Sequence, residues 1–179
     1  MLLMLVAASA AGSQQWQGGW AETRERMHVS AVLLGVPLAL AAGCWQGGRE
    51  RRRGTAELLA TAVRGRTAAF LASALPVALW PAAGYAVATA LTWLATWYCA
   101  TGDRPHLGTP LADAAVLVSA ALAGHVVGRL VAWRLAAPLL AVAGYVVLGV
   151  LGYGDAGWAG GLSPYTETPS DSVPVWWQP

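Results

Sequence analysis

Groups able to act chemically are few in this 179-residue chain: three histidines, two cysteines, nine acids and eleven arginines, with no lysine. His28, His106 and His125 lie in separate segments, and no CxxC, HxxxH or carboxylate cluster suggests an ion. No metal and no cofactor is therefore expected. No Ser-His-Asp or Cys-His set can be assembled at one depth of the membrane topology that the arginines select, which argues against an enzyme. A Walker A loop needs a lysine after a glycine-rich turn, so the chain does not bind ATP in that way. There remains one dense run, "GGRERRRGTAELL" at residues 47–59. There Arg49, Arg51, Arg52 and Arg53 surround Glu50, and Gly54-Thr55 reads as a helix start. Such a run acts electrostatically, either as an anchor at a membrane face or as a contact surface for a partner.

The elements around it are apolar. Hydrophobic residues make up 56% of the chain and charged ones 11%, against roughly a quarter charged in soluble domains. Several windows of about 18 or more residues carry no charge, enough for a helix to cross a bilayer. The Ala/Leu/Val runs lack the alternation of a membrane β-barrel. The expected fold is an all-α integral membrane protein, a polytopic helix bundle of about four full spans plus a partial first span. A net charge of +2, with its arginines localised, is too small to argue for nucleic acid.

Along the chain, residues 1–12 are apolar but short. They read as the outer part of a truncated first span, with a secretory signal as the alternative, for which Ala8 and Ala10 are suited but a positive leading region is missing. Residues 13–27 read as a polar loop with Trp16 and Trp20 at the headgroup layer. Residues 28–46 form a span with Pro37 as a kink. Residues 67–99 run apolar for about 50 Å as a helix, either one tilted crossing bent at Pro76 and Pro81 or a tight hairpin. Residues 100–110 are a turn-rich loop, residues 111–128 and 135–153 are further spans, and residues 154–179 are a polar tail.

Arginine placement chooses the orientation. With residues 47–66 in the cytoplasm and 67–99 as one crossing, Arg49, Arg51, Arg52, Arg53, Arg64, Arg66, Arg129 and Arg134 all lie inside. Only Arg24, Arg26 and Arg104 lie outside, beside Glu22, Glu25 and Asp103. Two crossings would weaken this bias. Residues 1–153 thus form the bundle and 154–179 an extracytoplasmic tail of a multi-pass cell-membrane protein. Cys44 and Cys99 then face opposite sides, which excludes a bridge between them.

Orientation explains the arginines but not the residues after them. Thr55 can cap a helix, Glu57 suits its positive end, and Leu58, Leu59, Ala62 and Val63 share one face. This is an amphipathic docking helix for the bilayer surface or for a groove on a partner. In this segment the sequence resembles the type-2 ABC exporter permeases, which carry Glu, then Gly-Thr, then Glu-Leu-Leu after their second span. The matching positions are Glu50, Gly54, Thr55, Glu57, Leu58 and Leu59. The resemblance implies that these residues meet a separate ATP-binding subunit and pass its motion to the spans. It further implies a homodimer or a heterodimer with a second permease, and export as the direction of transport. The family usually has six spans and a leading amphipathic helix, so the chain reads as incomplete at both ends. The alternative is a small accessory or assembly membrane protein without transport activity.

Three smaller signals remain. Gly124 and Gly128 form a GxxxG that permits close helix packing, within the bundle or between subunits. His125 lies one turn before Arg129, where it can snorkel or bond a neighbouring helix. Asp113 reads as a helix-start carboxylate, Trp80 as filler at a bend or the lining of a cavity at a kink, and Trp45, Trp93, Trp97, Trp133 and Trp158 as an interfacial belt.

Overall fold

The computed structural model describes residues 19–49, 52, 65–98, 100, 107–131 and 133–153, which are helical with short connections and contain no strand. Four helices result: α1 (Trp20–Gly47), α2 (Arg66–Trp97), α3 (Gly108–Leu130) and α4 (Ala136–Tyr153). The first three are long and apolar enough to cross a membrane; the apolar stretch of α4, Ala136–Val150, is shorter. Residues 1–12, the segment from Gly54 to Arg64 and the whole tail 154–179 lie outside the described residues, as do Glu50, Arg51 and Arg53.

The polar loop expected over 13–27 is corrected from residue 20 onward, where α1 already begins. Composition misleads here because Glu22, Glu25 and Arg26 are exposed while Thr23, Met27, Ser30 and Ala31 are buried. That is the spacing of one helix face, and packing that face makes a helix of a polar stretch. Farther along, α1 contains one wide turn, Ala31–Gly35, in which the Val36 amide reaches back to the Ala31 carbonyl. Pro37 follows at once. Its ring lacks an N–H and crowds the preceding turn, and a wide turn relieves both demands.

The 67–99 run is a single 32-residue helix with Pro76 and Pro81 inside it, so the hairpin alternative is not adopted. Bundle order follows from the contacts. His28 meets Asp113 and Gly35 lies by Leu117, while Gly124 lies by Leu40 and Gly128 by Cys44. The numbers rise together, so α1 and α3 run parallel. Thr23 meets Thr96 and Ser73 meets His125, which sets α2 antiparallel to both. Arg49, Arg52, the start of α2, Arg129 and Arg134 consequently share one end of the bundle.

α1 and α3 touch backbone to backbone. A Cβ on Gly124 would stand 2.1 Å from the Leu40 carbonyl oxygen, and one on Gly128 would stand 2.0 Å from that of Cys44. The relation is reciprocal, since a Cβ on Gly43 or Gly47 would lie 2.1 Å from the Ala121 or His125 carbonyl oxygen. Two GxxxG faces are thus pressed together, and the pair at 124 and 128 is used inside the chain. The outward faces of α2 and α4 are largely apolar. Leu71, Leu75, Leu79, Leu91 and Leu94 on α2 and Val142, Val146 and Val150 on α4 are exposed, a surface suited to hydrocarbon and not to water.

Candidate functional site

The described polar side chains gather at two levels. Nearer the Trp20 end, three helices converge on one carboxylate. Asp113 on α3 is 3% exposed and holds His28 of α1 at 2.7 Å through Nδ1, while the Tyr85 hydroxyl of α2 donates to its other oxygen at 2.8 Å. The His28 side chain keeps 37% exposure, so the carboxylate is reached from outside through the imidazole. A carboxylate in an apolar bundle is costly unless bonded, and both of its oxygens are. The helix-start reading of Asp113 is corrected: α3 begins at Gly108, has no acid in its first turn, and turns Asp113 inward.

Above this level the end is clamped. Trp20 meets Trp93 and Trp97 edge-on, each with centroids 6.2 Å apart. The Thr23 and Thr96 hydroxyls lie 3.1 Å apart. Thr89, Thr92 and Thr96 each donate to the carbonyl four residues earlier, which satisfies these hydroxyls within their own helix. Tyr85, Thr89, Thr92 and Thr96 form one inward stripe at helical spacing. That recurrence on an otherwise apolar helix is the sequence signal for this face, and it lies far from the charged motif that dominates the sequence.

Toward the arginine end α1 and α2 part, and a groove of about 870 Å³ opens between them. Ala39, Ala42, Gln46 and Arg49 line one wall; Pro76, Trp80, Pro81 and Gly84 line the other, with His125 of α3 at the floor. Prolines 76 and 81 donate no bond to the carbonyls of residues 72 and 77, so the helix wall here is the least tightly laddered part of α2. Of the two readings of Trp80, the cavity-lining one holds: it is 78% exposed and edges the groove beside Pro81. His125 is buried, with Nε2 3.3 Å from the Ser73 hydroxyl and its ring beside Phe70. Ser73 also donates to the Phe70 carbonyl at 2.9 Å. Its single proton serves one acceptor at a time. Asp113 lies about 18 Å from His125 along α3 and serves His28 instead, so it does not orient this pair as a catalytic set would require.

At the mouth the Arg52 guanidinium stacks over Trp45 at 4.2 Å and donates to the Trp45 carbonyl. With Arg49 and Gln46 they line a second hollow that continues the groove. Arg129 lies 5.5 Å from the Phe70 ring, and Arg134 is exposed. Of the coupling residues read from the motif, Glu50, Gly54, Thr55, Glu57, Leu58 and Leu59 all fall outside the described residues. Among the described residues no group of three or more His, Cys, Asp or Glu side chains is placed to hold a metal.

Comparison with protein-family models, with curated proteins and with solved structures gives no match to this chain. Fold and site define an all-helical protein with three helices able to cross a membrane, clamped at one end and grooved at the other.

Proposed function

We propose that this chain is the membrane-spanning permease subunit of a type-2 ABC exporter, embedded in the cell membrane with residues 47–66 in the cytoplasm. A separate ATP-binding subunit drives it, and it works as a homodimer or beside a second permease. The observation that carries this reading is the shape of the α1–α2 pair. The pair is fastened at the Trp20 end and parted at the other, where the "GGRERRRGTAELL" segment joins the two helices. A push on that segment alters the open end while the clamp resists, which is the lever a coupled permease needs. The exposed leucine face of α2 offers a surface for a second permease.

Co-expression with an ATP-binding subunit encoded beside the chain, followed by affinity purification, tests the coupling. Joint Glu57→Ala and Leu58→Ala substitution is expected to lower recovery of the ATP-binding subunit about tenfold, as loss of an interface anchor does. Undiminished recovery removes the docking role and leaves the accessory-protein reading.

Orientation has its own check. Cys44 is buried and silent to labels, so cysteines are placed at the exposed positions 22 and 46, in separate variants lacking Cys44 and Cys99. A membrane-impermeant maleimide on intact cells is expected to label Glu22→Cys and to spare Gln46→Cys until the membrane is opened. The reverse pattern inverts the topology.

A further inference from the structure

We propose that the groove between α1 and α2 holds a single anionic phospholipid, its phosphate at Arg49 and Arg52 and an acyl chain lying along α2 toward Val87. Three observations on the groove converge on this occupant.

The first is its graded lining. Gln46, Arg49, Ser73 and His125 line the arginine end, whereas Val77, Gly84 and Val87 line the wall farther along α2. A molecule that matches this wall is polar at one end and apolar at the other. The second is charge. The mouth presents two arginines, and the described lining of both hollows contains no acid. Arg52 is held by Trp45 through its ring and carbonyl, yet a guanidinium has five N–H donors and keeps several for a phosphate. The third is size. From residue 72 to residue 87 the α2 wall is about 22 Å long, which equals half of a bilayer of about 40–45 Å including headgroups. One leaflet's lipid therefore fits end to end.

The groove also opens toward the hydrocarbon side. Trp80 at its rim is exposed, as is the adjacent Leu79 of the apolar outer surface, so a lipid enters by lateral diffusion. This proposal requires that the chain sits in a bilayer. It does not require an ATP-binding partner, and the two are read by different measurements.

The test uses the full chain in nanodiscs containing phosphatidylglycerol or phosphatidylcholine, each with a photoreactive diazirine near its acyl terminus. Cross-linked peptides are mapped by mass spectrometry. Phosphatidylglycerol is expected to label the 76–87 stretch and to outcompete phosphatidylcholine. Arg49→Ala and Arg52→Ala are each expected to reduce that preference about fivefold, the value of one basic residue at an anionic surface. Gly84→Leu is expected to abolish labelling of the groove by either lipid. A Cβ at Gly84 meets no atom within 4 Å, so the leucine enters the groove without disturbing the fold, and an unchanged thermal melt verifies this. Equal labelling by the two lipids, insensitive to both arginines, overturns the proposal. So does labelling that persists in Gly84→Leu, or protein–protein cross-links from a photoreactive residue at 84 that displace lipid.

Discussion

Replacing Asp113 with alanine is expected to lower the unfolding free energy of the detergent-solubilised protein by about 2–4 kcal/mol. The loss comes less from the carboxylate than from the groups it leaves behind. The Tyr85 hydroxyl and His28 both lose their acceptor while Tyr85 remains buried. An orphaned buried donor costs about 1–3 kcal/mol in water-soluble proteins, and a bond between membrane helices is worth about 0.6–2 kcal/mol. Asp113→Asn keeps an acceptor for one of the two donors and should fall midway. Tyr85→Phe removes a single bond, at about 1 kcal/mol. The combination His28→Leu, Tyr85→Phe and Asp113→Leu should regain most of the loss, because it strands no polar group. Equilibrium unfolding in mixed micelles measures the whole series. If Asp113→Ala stays within about 0.5 kcal/mol of the parent, the cluster does not hold the three helices together.

The second large effect is expected where α1 and α3 touch. Gly128→Val should cost more than the usual 1–3 kcal/mol of an overpacked core, since the obstacle is the Cys44 carbonyl and not a side chain that can swing away. To admit a Cβ there, the two helices must move apart along the length that Gly43, Gly47, Gly124 and Gly128 share. Gly43→Ala combined with Gly128→Ala should therefore cost less than the sum of the two, because one separation serves both. Gly149→Ala supplies the control. A Cβ there meets nothing within 4 Å, and the change should be neutral or stabilising by about 0.5–1 kcal/mol. Thermal unfolding and recovery of monodisperse protein read the contrast. Equal melts for Gly128→Val and Gly149→Ala would remove the case for close packing.

The helices are legible in the sequence because uncharged length is a one-dimensional property. Residues 28–46 and 111–128 lie within observed helices, and the expected spans 67–99 and 135–153 overlap α2 and α4. Residues 20–27 are misleading, since a solvent-facing half-turn and a loop share a composition. Gly124 and Gly128 are legible, whereas their partners Gly43 and Gly47 stand beside the Arg-rich run, whose charge masks them. The Asp113 cluster is harder to read. Residues 28, 85 and 113 come together only when three helices take particular rotations about their axes, and nothing local in the sequence states a rotation. Asp113 alone gives a hint, as an acid close to a long apolar run. Pro76, Pro81 and Trp80 foreshadow the groove, yet its width depends on how α1 and α2 diverge, which no single segment encodes.

The wide turn in α1 governs how the two halves of that helix cooperate. Met27, Ala31, Gly35, Ala39, Gly43 and Gly47 are all buried at a spacing of four. In an unbroken α-helix such a series drifts about 40° per step, so the first and last members would be turned about 200° apart and would face opposite sides. The extra residue accommodated at Ala31–Gly35 amounts to about 100° of rotation, and so takes back roughly half of that drift. It works as a vernier between two straight rods. The upper half keeps His28 aimed at the carboxylate while the lower half keeps its glycines flat against α3, and neither has to bend to meet the other. Pro37 follows directly, and its ring would crowd the carbonyl of residue 33 in a regular α-helix, which favours the wider setting.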